Sequence, residues 1–150
     1  MESQENIQQF DEMVGKIFAH LYAKFPVPVV LTPEPFVQQA TRHDFKLGEI
    51  PTKETEFFLA TVEWLAKEGY LRYRNRSQLW VDEVVLTNQC LQLLNIVPDS
   101  LQASIGSQLV EASKEAGKGM LQELASEVLK KGAGILGSGI AAIASGGTVF

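Results

Sequence analysis

Disulfide chemistry is the first thing this sequence lacks. Cys90 is its one cysteine in 150 residues, so no internal bridge staples a small secreted fold and no cysteine-rich zinc ribbon forms. A reducing interior is the expected environment. Histidine is scarce too, with two copies. His20 falls on the polar side of the first helix and His43 precedes Asp44, and neither has a nucleophile, an orienting acid or further ligands at a defined spacing. Surface histidines are the expectation, with no metal and no catalytic set. Gly132, Gly134, Gly137 and Gly139 follow no strand and precede no lysine, which excludes a phosphate-cradling loop. The chain therefore reads as non-enzymatic and without a cofactor. It opens Met-Glu-Ser-Gln-Glu-Asn, without the basic, apolar and small-residue succession of an export signal, so the expected location is cytoplasmic, with the inner face of a membrane as a variant considered below.

Positive charge is also in short supply, with 13 Lys or Arg against 18 Asp or Glu and a net charge of -5. The first 99 residues hold 9 basic and 14 acidic side chains, the last 51 hold 4 of each, so the acidic excess lies wholly in the front part. An acidic body does not draw phosphate from a distance, and any nucleic-acid contact needs a local basic patch. No internal repeat and no charged block of tail length is found.

What is present is helical periodicity. Ile7, Phe10, Val14, Ile17, Phe18, Leu21, Tyr22 and Phe25 recur at three-and-four spacing, one face of a helix that ends before Pro26 and Pro28. Thr32-Pro33-Glu34-Pro35 reads as a cap with prolines confined to the first turn, predicting a short second helix from about Pro33 to about Thr41. An irregular stretch with Phe45, Leu47, Gly48, Ile50 and Pro51 follows. Thr52 then caps a third helix reaching Glu68, with Phe58, Val62 and Leu65 inward and Glu56, Glu63 and Lys67 outward, and Gly69 ends it as a left-handed cap. Tyr70 to Arg74 and Leu79 to Leu86 read as strands around a polar turn, Asn75 to Gln78. Thr87 caps a closing helix that Val97-Pro98 ends.

Three helices, a hairpin with a polar tip and a closing helix are the order of a winged helix-turn-helix domain. Thr61 to Leu71 (TVEWLAKEGYL) resembles the junction between third helix and wing in bacterial regulators of the MarR and PadR type, and Val85 to Leu94 (VLTNQCLQLL) is similar to the stretch after their wing. The resemblance spans residues 7–98 and implies a DNA-binding transcriptional regulator. Two departures weigh against simple transfer. About ten residues, Arg42 to Pro51, separate the second and third predicted helices where the DNA-binding members have a tight turn, and Cys90 stands where glycine is usual.

The fold class expected is thus mainly α with a small β-hairpin: a winged-helix domain over residues 1–98, then an amphipathic helix and an uncharged, Gly/Ala-rich helical tail over 99–150. Arg72, Arg74 and Arg76, spaced by two, project to one side of an extended strand. With Asn75 and Gln78 they are the candidate duplex-DNA contacts; otherwise they form a solvated face paired with carboxylates such as Asp82 and Glu83. Glu54, Glu56 and Glu63 on the third helix repel phosphate, which favours an ordinary exposed face, a Glu63–Lys67 pair and a protein-interaction adaptor.

In the rear, Ile105, Leu109, Ala112, Ala116, Met120, Leu124 and Val128 make a helical stripe, with a break expected at Gly117 and Gly119. The front part is expected to supply a complete apolar face without it. From Gly132 to Phe150 no side chain is charged, enough for about 28 Å of helix. Ala133, Gly137, Ala141 and Ser145 recur every four residues, and Gly134, Ser138 and Ala142 repeat that spacing one step on, a face that admits close helix approach. A second copy of the chain or another helical protein is one expected partner of this glycine-zipper-like face. A membrane is the other, with Lys130 and Lys131 on the cytoplasmic flank, which would make the chain a small tail-anchored or membrane-active protein.

Overall fold

The computed structural model describes residues 2–97, 103–115 and 117–144. The apolar spacing of the N-terminal segment produces α1 (Glu2–Lys24), which ends where the prolines begin. A short strand, β1 (Val29–Leu31), follows.

The helix predicted over Pro33 to Thr41 does not form. The segment makes one turn, with the amides of Phe36 and Val37 both donating to the Pro33 carbonyl. It then extends, because its next carbonyls are claimed from elsewhere: Thr52 Oγ1 donates to Gln39 O at 2.6 Å, Thr55 Oγ1 to Ala40 O at 2.7 Å, and the Thr52 amide to Ala40 O at 3.1 Å. The stretch read as irregular is instead a hairpin, β2 (Thr41–Asp44) against β3 (Gly48–Pro51), with Thr41 opposite Pro51 and Asp44 opposite Gly48. Its turn is closed by Asp44 Oδ1, which accepts from the amides of Lys46 and Leu47 at 2.9 Å each, and by Gly48 at φ 80°, a left-handed position suited to glycine.

Thr52 caps α2 (Lys53–Lys67) as expected, accepting from the Thr55 amide. At the other end Gly69 stands at φ 90°, and the amides of Gly69 and Tyr70 donate to Ala66 and Leu65, the paired bonds of a Schellman cap. The strands that follow α2 are β4 (Leu71–Arg72), β5 (Asn75–Arg76) and β6 (Val81–Leu86). β6 lies between β1 and β4, and β5 also pairs with it, all antiparallel.

Val81 and Val84 are both fully buried, although residues three apart on a regular strand face opposite ways. A bulge reconciles them. Val29 pairs with Val84 and Leu31 with Val81, so two residues of β6 oppose Val30 alone, and Glu83 takes up the extra step at φ 53°. Thr87 then caps α3 (Asn88–Leu94) and ties it back, its hydroxyl donating to Gly69 O at 2.7 Å.

The rear stripe forms α4 (Ile105–Lys114) and α5 (Lys118–Ala144), broken next to Gly117 as the sequence predicts. The described residues thus make five helices with small antiparallel sheets. The expectation that the front part completes its own apolar face is corrected by the packing. One buried cluster joins Ile17, Phe18, Phe58 and Leu65 to Ile105, Leu109, Leu121 and Val128, because α1 is covered by α4 and α5 on the flank that α2 and the sheet leave open. Among the described residues no helix is long and apolar enough to cross a membrane.

Candidate binding surface

The tip of the hairpin that follows α2 lies two residues later than predicted. Asn75 and Arg76 are strand residues opposite Asp82 and Val81, and the turn is Ser77 to Trp80. Ser77 is the reason: its amide donates to Trp80 O at 2.9 Å, and its Oγ accepts from the amides of Leu79 and Trp80 at 3.1 and 3.0 Å.

Arg72, Arg74, Asn75, Arg76 and Gln78 are all exposed, but the three arginines do not act as one row. Arg74 meets Glu83 across the hairpin at 3.1 Å. Arg76 leans onto α2 and meets Glu63 at 3.2 Å, which replaces the expected Glu63–Lys67 pair. Arg72 is in no ion pair among the described residues. Both pairs are substantially solvated, so each contributes at most about 1 kcal/mol; their effect is to place a carboxylate beside two of the three guanidinium groups.

The Arg76–Glu63 contact draws the β5–β6 hairpin against α2, and the β2–β3 hairpin rises on the other side. Between them lies an open groove of about 660 Å3. Leu47, Ile50 and Leu59 provide its apolar lining, and Arg42, Lys53 and Arg76 its cations. Beside it, at the hairpin tip, Phe45 is 97% exposed and Leu47 74%. Spacing alone gives Arg42, Phe45 and Leu47 no role; Asp44 followed four residues later by Gly48 is the hairpin signal that places them together.

The histidines lie apart. His20 sits edge-on to Phe36, 5.6 Å between centroids, and burial followed by the nearby Lys24 pushes its pKa down. His43 faces Glu49 at 3.5 Å on the exposed hairpin. Cys90 is buried and its thiol pKa is pushed well up by that burial. Among the described residues no three acidic, histidine or cysteine side chains come together as a metal site.

In the tail, Gly132 is buried and an added Cβ would meet the Tyr70 ring, whereas Ala133 and Gly134, where the two small-residue repeats start, are exposed. The side chains of Gly137, Ser138, Ala141 and Ala142, and Ser145 entirely, lie outside the described residues.

No known family model matches the chain, and neither a curated protein nor a solved structure matches it.

Proposed function

We propose that this chain is a non-enzymatic binding module on a winged-helix plan that engages protein through the groove between its hairpins. The wing directly after α2 and the capped closing helix α3 support that plan. The observation that carries the choice of protein over DNA is the company kept by the wing arginines. Arg74 and Arg76 are matched by Glu83 and Glu63, and the outward side of α2 adds exposed Glu54 and Glu56, so a phosphate backbone laid along this face meets carboxylates. The missing helix over residues 33–41 also leaves α2 without the helical partner that the resemblance implies, and a β-hairpin stands at its N-terminal end instead.

Duplex DNA is the second reading, favoured by Arg42, Lys53 and Arg72, which are in no ion pair among the described residues. Titrating the full chain into a labelled duplex at several low salt concentrations decides between them. The expected result is no binding beyond a weak baseline, unchanged when Arg72, Arg74 and Arg76 are all replaced by alanine. Tight binding with a steep salt dependence that flattens in the triple variant would establish the DNA reading instead.

A further inference from the structure

Between β1 and the β2–β3 hairpin the chain is fixed at both ends and lightly held in the middle. Leu31 is fully buried and paired with Val81, and the carbonyls of Gln39 and Ala40 accept from Thr52 Oγ1 and Thr55 Oγ1. The turn between them, residues 33–38, is held by three amide bonds: Phe36 and Val37 donate to the Pro33 carbonyl, and Gln38 donates to Glu54 Oε2 at 3.3 Å. Its aromatic residue, Phe36, is buried, stacks on Phe58 at 5.0 Å and stands against His20. Pro35, Phe36 and Val37 also line a second cleft, of about 660 Å3, together with Met13 of α1 and Phe57 of α2. His20 is badly placed for a charge. It is half-buried, and Lys16 and Lys24 lie four residues to either side of it on α1. Glu12 pairs with Lys16 at 3.1 Å, Lys24 and the Glu34 of the turn are in no ion pair among the described residues, and Glu54 of α2 is taken up by the Gln38 amide. Burial first and Lys24 second push the imidazole pKa down, and no carboxylate offsets them.

We propose that the turn over residues 33–38 is a proton-operated flap: it stays shut while His20 is neutral, and protonation of His20 lifts Phe36 off Phe58 and opens the second cleft. Phe36 is part of what keeps water from the imidazole. Lifting it returns His20 to water, where the ring takes up its proton as an ordinary histidine does. Linkage is reciprocal, so if opening raises the proton affinity, protonation favours opening by the same factor. The open form gains as pH falls through the ordinary histidine range toward the lowered value of the closed form. The fixed ends at Leu31 and at Gln39 and Ala40 confine the movement to the turn, because its own three amide bonds are the ones that need break.

The test is residue-resolved amide hydrogen exchange of the full chain at about pH 7.5 and about pH 5.5, corrected for intrinsic rates and repeated in a low concentration of urea. The amides of Phe36 and Val37 are expected to exchange faster than that of Val62 inside α2, at rates that low urea leaves unchanged, the mark of local opening. Their protection should fall about threefold or more between the two pH values. His20→Asn should abolish that fall while Phe36 and Val37 still exchange by local opening. Three results overturn the proposal in the wild-type chain alone. Protection of Phe36 and Val37 that does not change with pH means that His20 does not act on the turn. Exchange that follows Val62 in its rate and urea dependence means that the turn opens only with the whole fold. A rise in protection at the lower pH means that the Phe36 ring holds the imidazolium and shuts the flap. An equal fall in His20→Asn overturns it as well, since another group would then carry the pH dependence.

Discussion

At the scale of single residues, two glycines two positions apart in α5 make opposite demands. A Cβ on Gly132 would collide with Tyr70 Oη, and that ring cannot step aside freely. It is 3% exposed, stacks on Trp64 at 6.2 Å and tilts against Phe18 at 5.9 Å. Gly132→Ala is therefore expected to destabilise by about 1–3 kcal/mol. Gly134 has nothing within 4 Å of the same position, so Gly134→Ala should stabilise by up to about 1 kcal/mol through helix propensity. Denaturant melts of the two variants read the signs, and two shifts in the same direction would refute the placement of α5 on Tyr70. His20 gives a separate handle. Its pKa is lowered in the fold, by burial first and Lys24 second, so the native state binds its proton less readily than the unfolded chain does. The stability from keeping it neutral is full above its ordinary value near 6.5 and is lost as pH falls through that value toward the lowered one. The melting temperature should thus fall on acidification from pH 7 to 5, and His20→Asn should remove part of that fall; an identical pH profile in the variant would show that His20 is not responsible.

Secondary-structure elements were legible in the sequence where their hydrogen bonds are local. Thr52 and Thr87 cap by accepting from the amides of Thr55 and Cys90, three residues on, and Gly69 by donating to Ala66, and these local bonds make all three legible as caps. The segment from Pro33 to Pro51 was misread because its bonds are not local: Gln39 and Ala40 are held by Thr52 and Thr55, more than ten residues on. The same holds for the candidate surface. The arginines were visible as a row, but Arg76 finds Glu63 on another element, and no spacing rule reports that. The bulge in β6 is a third case, since only pairing with β1 brings both Val81 and Val84 inside. Its left-handed residue is glutamate, which favours that region about 1–2 kcal/mol less than glycine does. Glu83→Gly removes that strain and loses only the exposed pair with Arg74, so a small net stabilisation is expected in thermal melts. A loss of more than about 1 kcal/mol would mean that the Glu83 side chain holds the bulge.

At the scale of the whole molecule, the buried arc of α1 decides how the chain divides. Val14, Gly15, Ile17, Phe18, Ala19 and Leu21 are all buried, and at 100° per residue they span about 200° of the helix circumference. A single packing layer covers a stripe nearer to about 100°, so α1 needs neighbours on two flanks. The sheet and α2 provide one, and α4 and α5 provide the other through Ile105, Leu109, Leu121 and Val128. The approach is close: a Cβ on Gly15 would stand 2.9 Å from the Leu121 carbonyl oxygen. The amphipathic stripe of the rear segment was readable in the sequence, but its partner was not, because periodicity shows that a face is buried without saying against what. It follows that α4 and α5 complete the core. A chain ending at residue 104 should lose cooperative unfolding, with half of the α1 arc bare to water, and Leu109→Ala in the full chain should destabilise by about 2–5 kcal/mol, the range for emptying a fully buried leucine site. Circular dichroism melts of both report the outcome. A truncated chain that unfolds cooperatively at the wild-type temperature would mean that the front segment closes over α1 by itself and that the rear helices merely rest on a finished core.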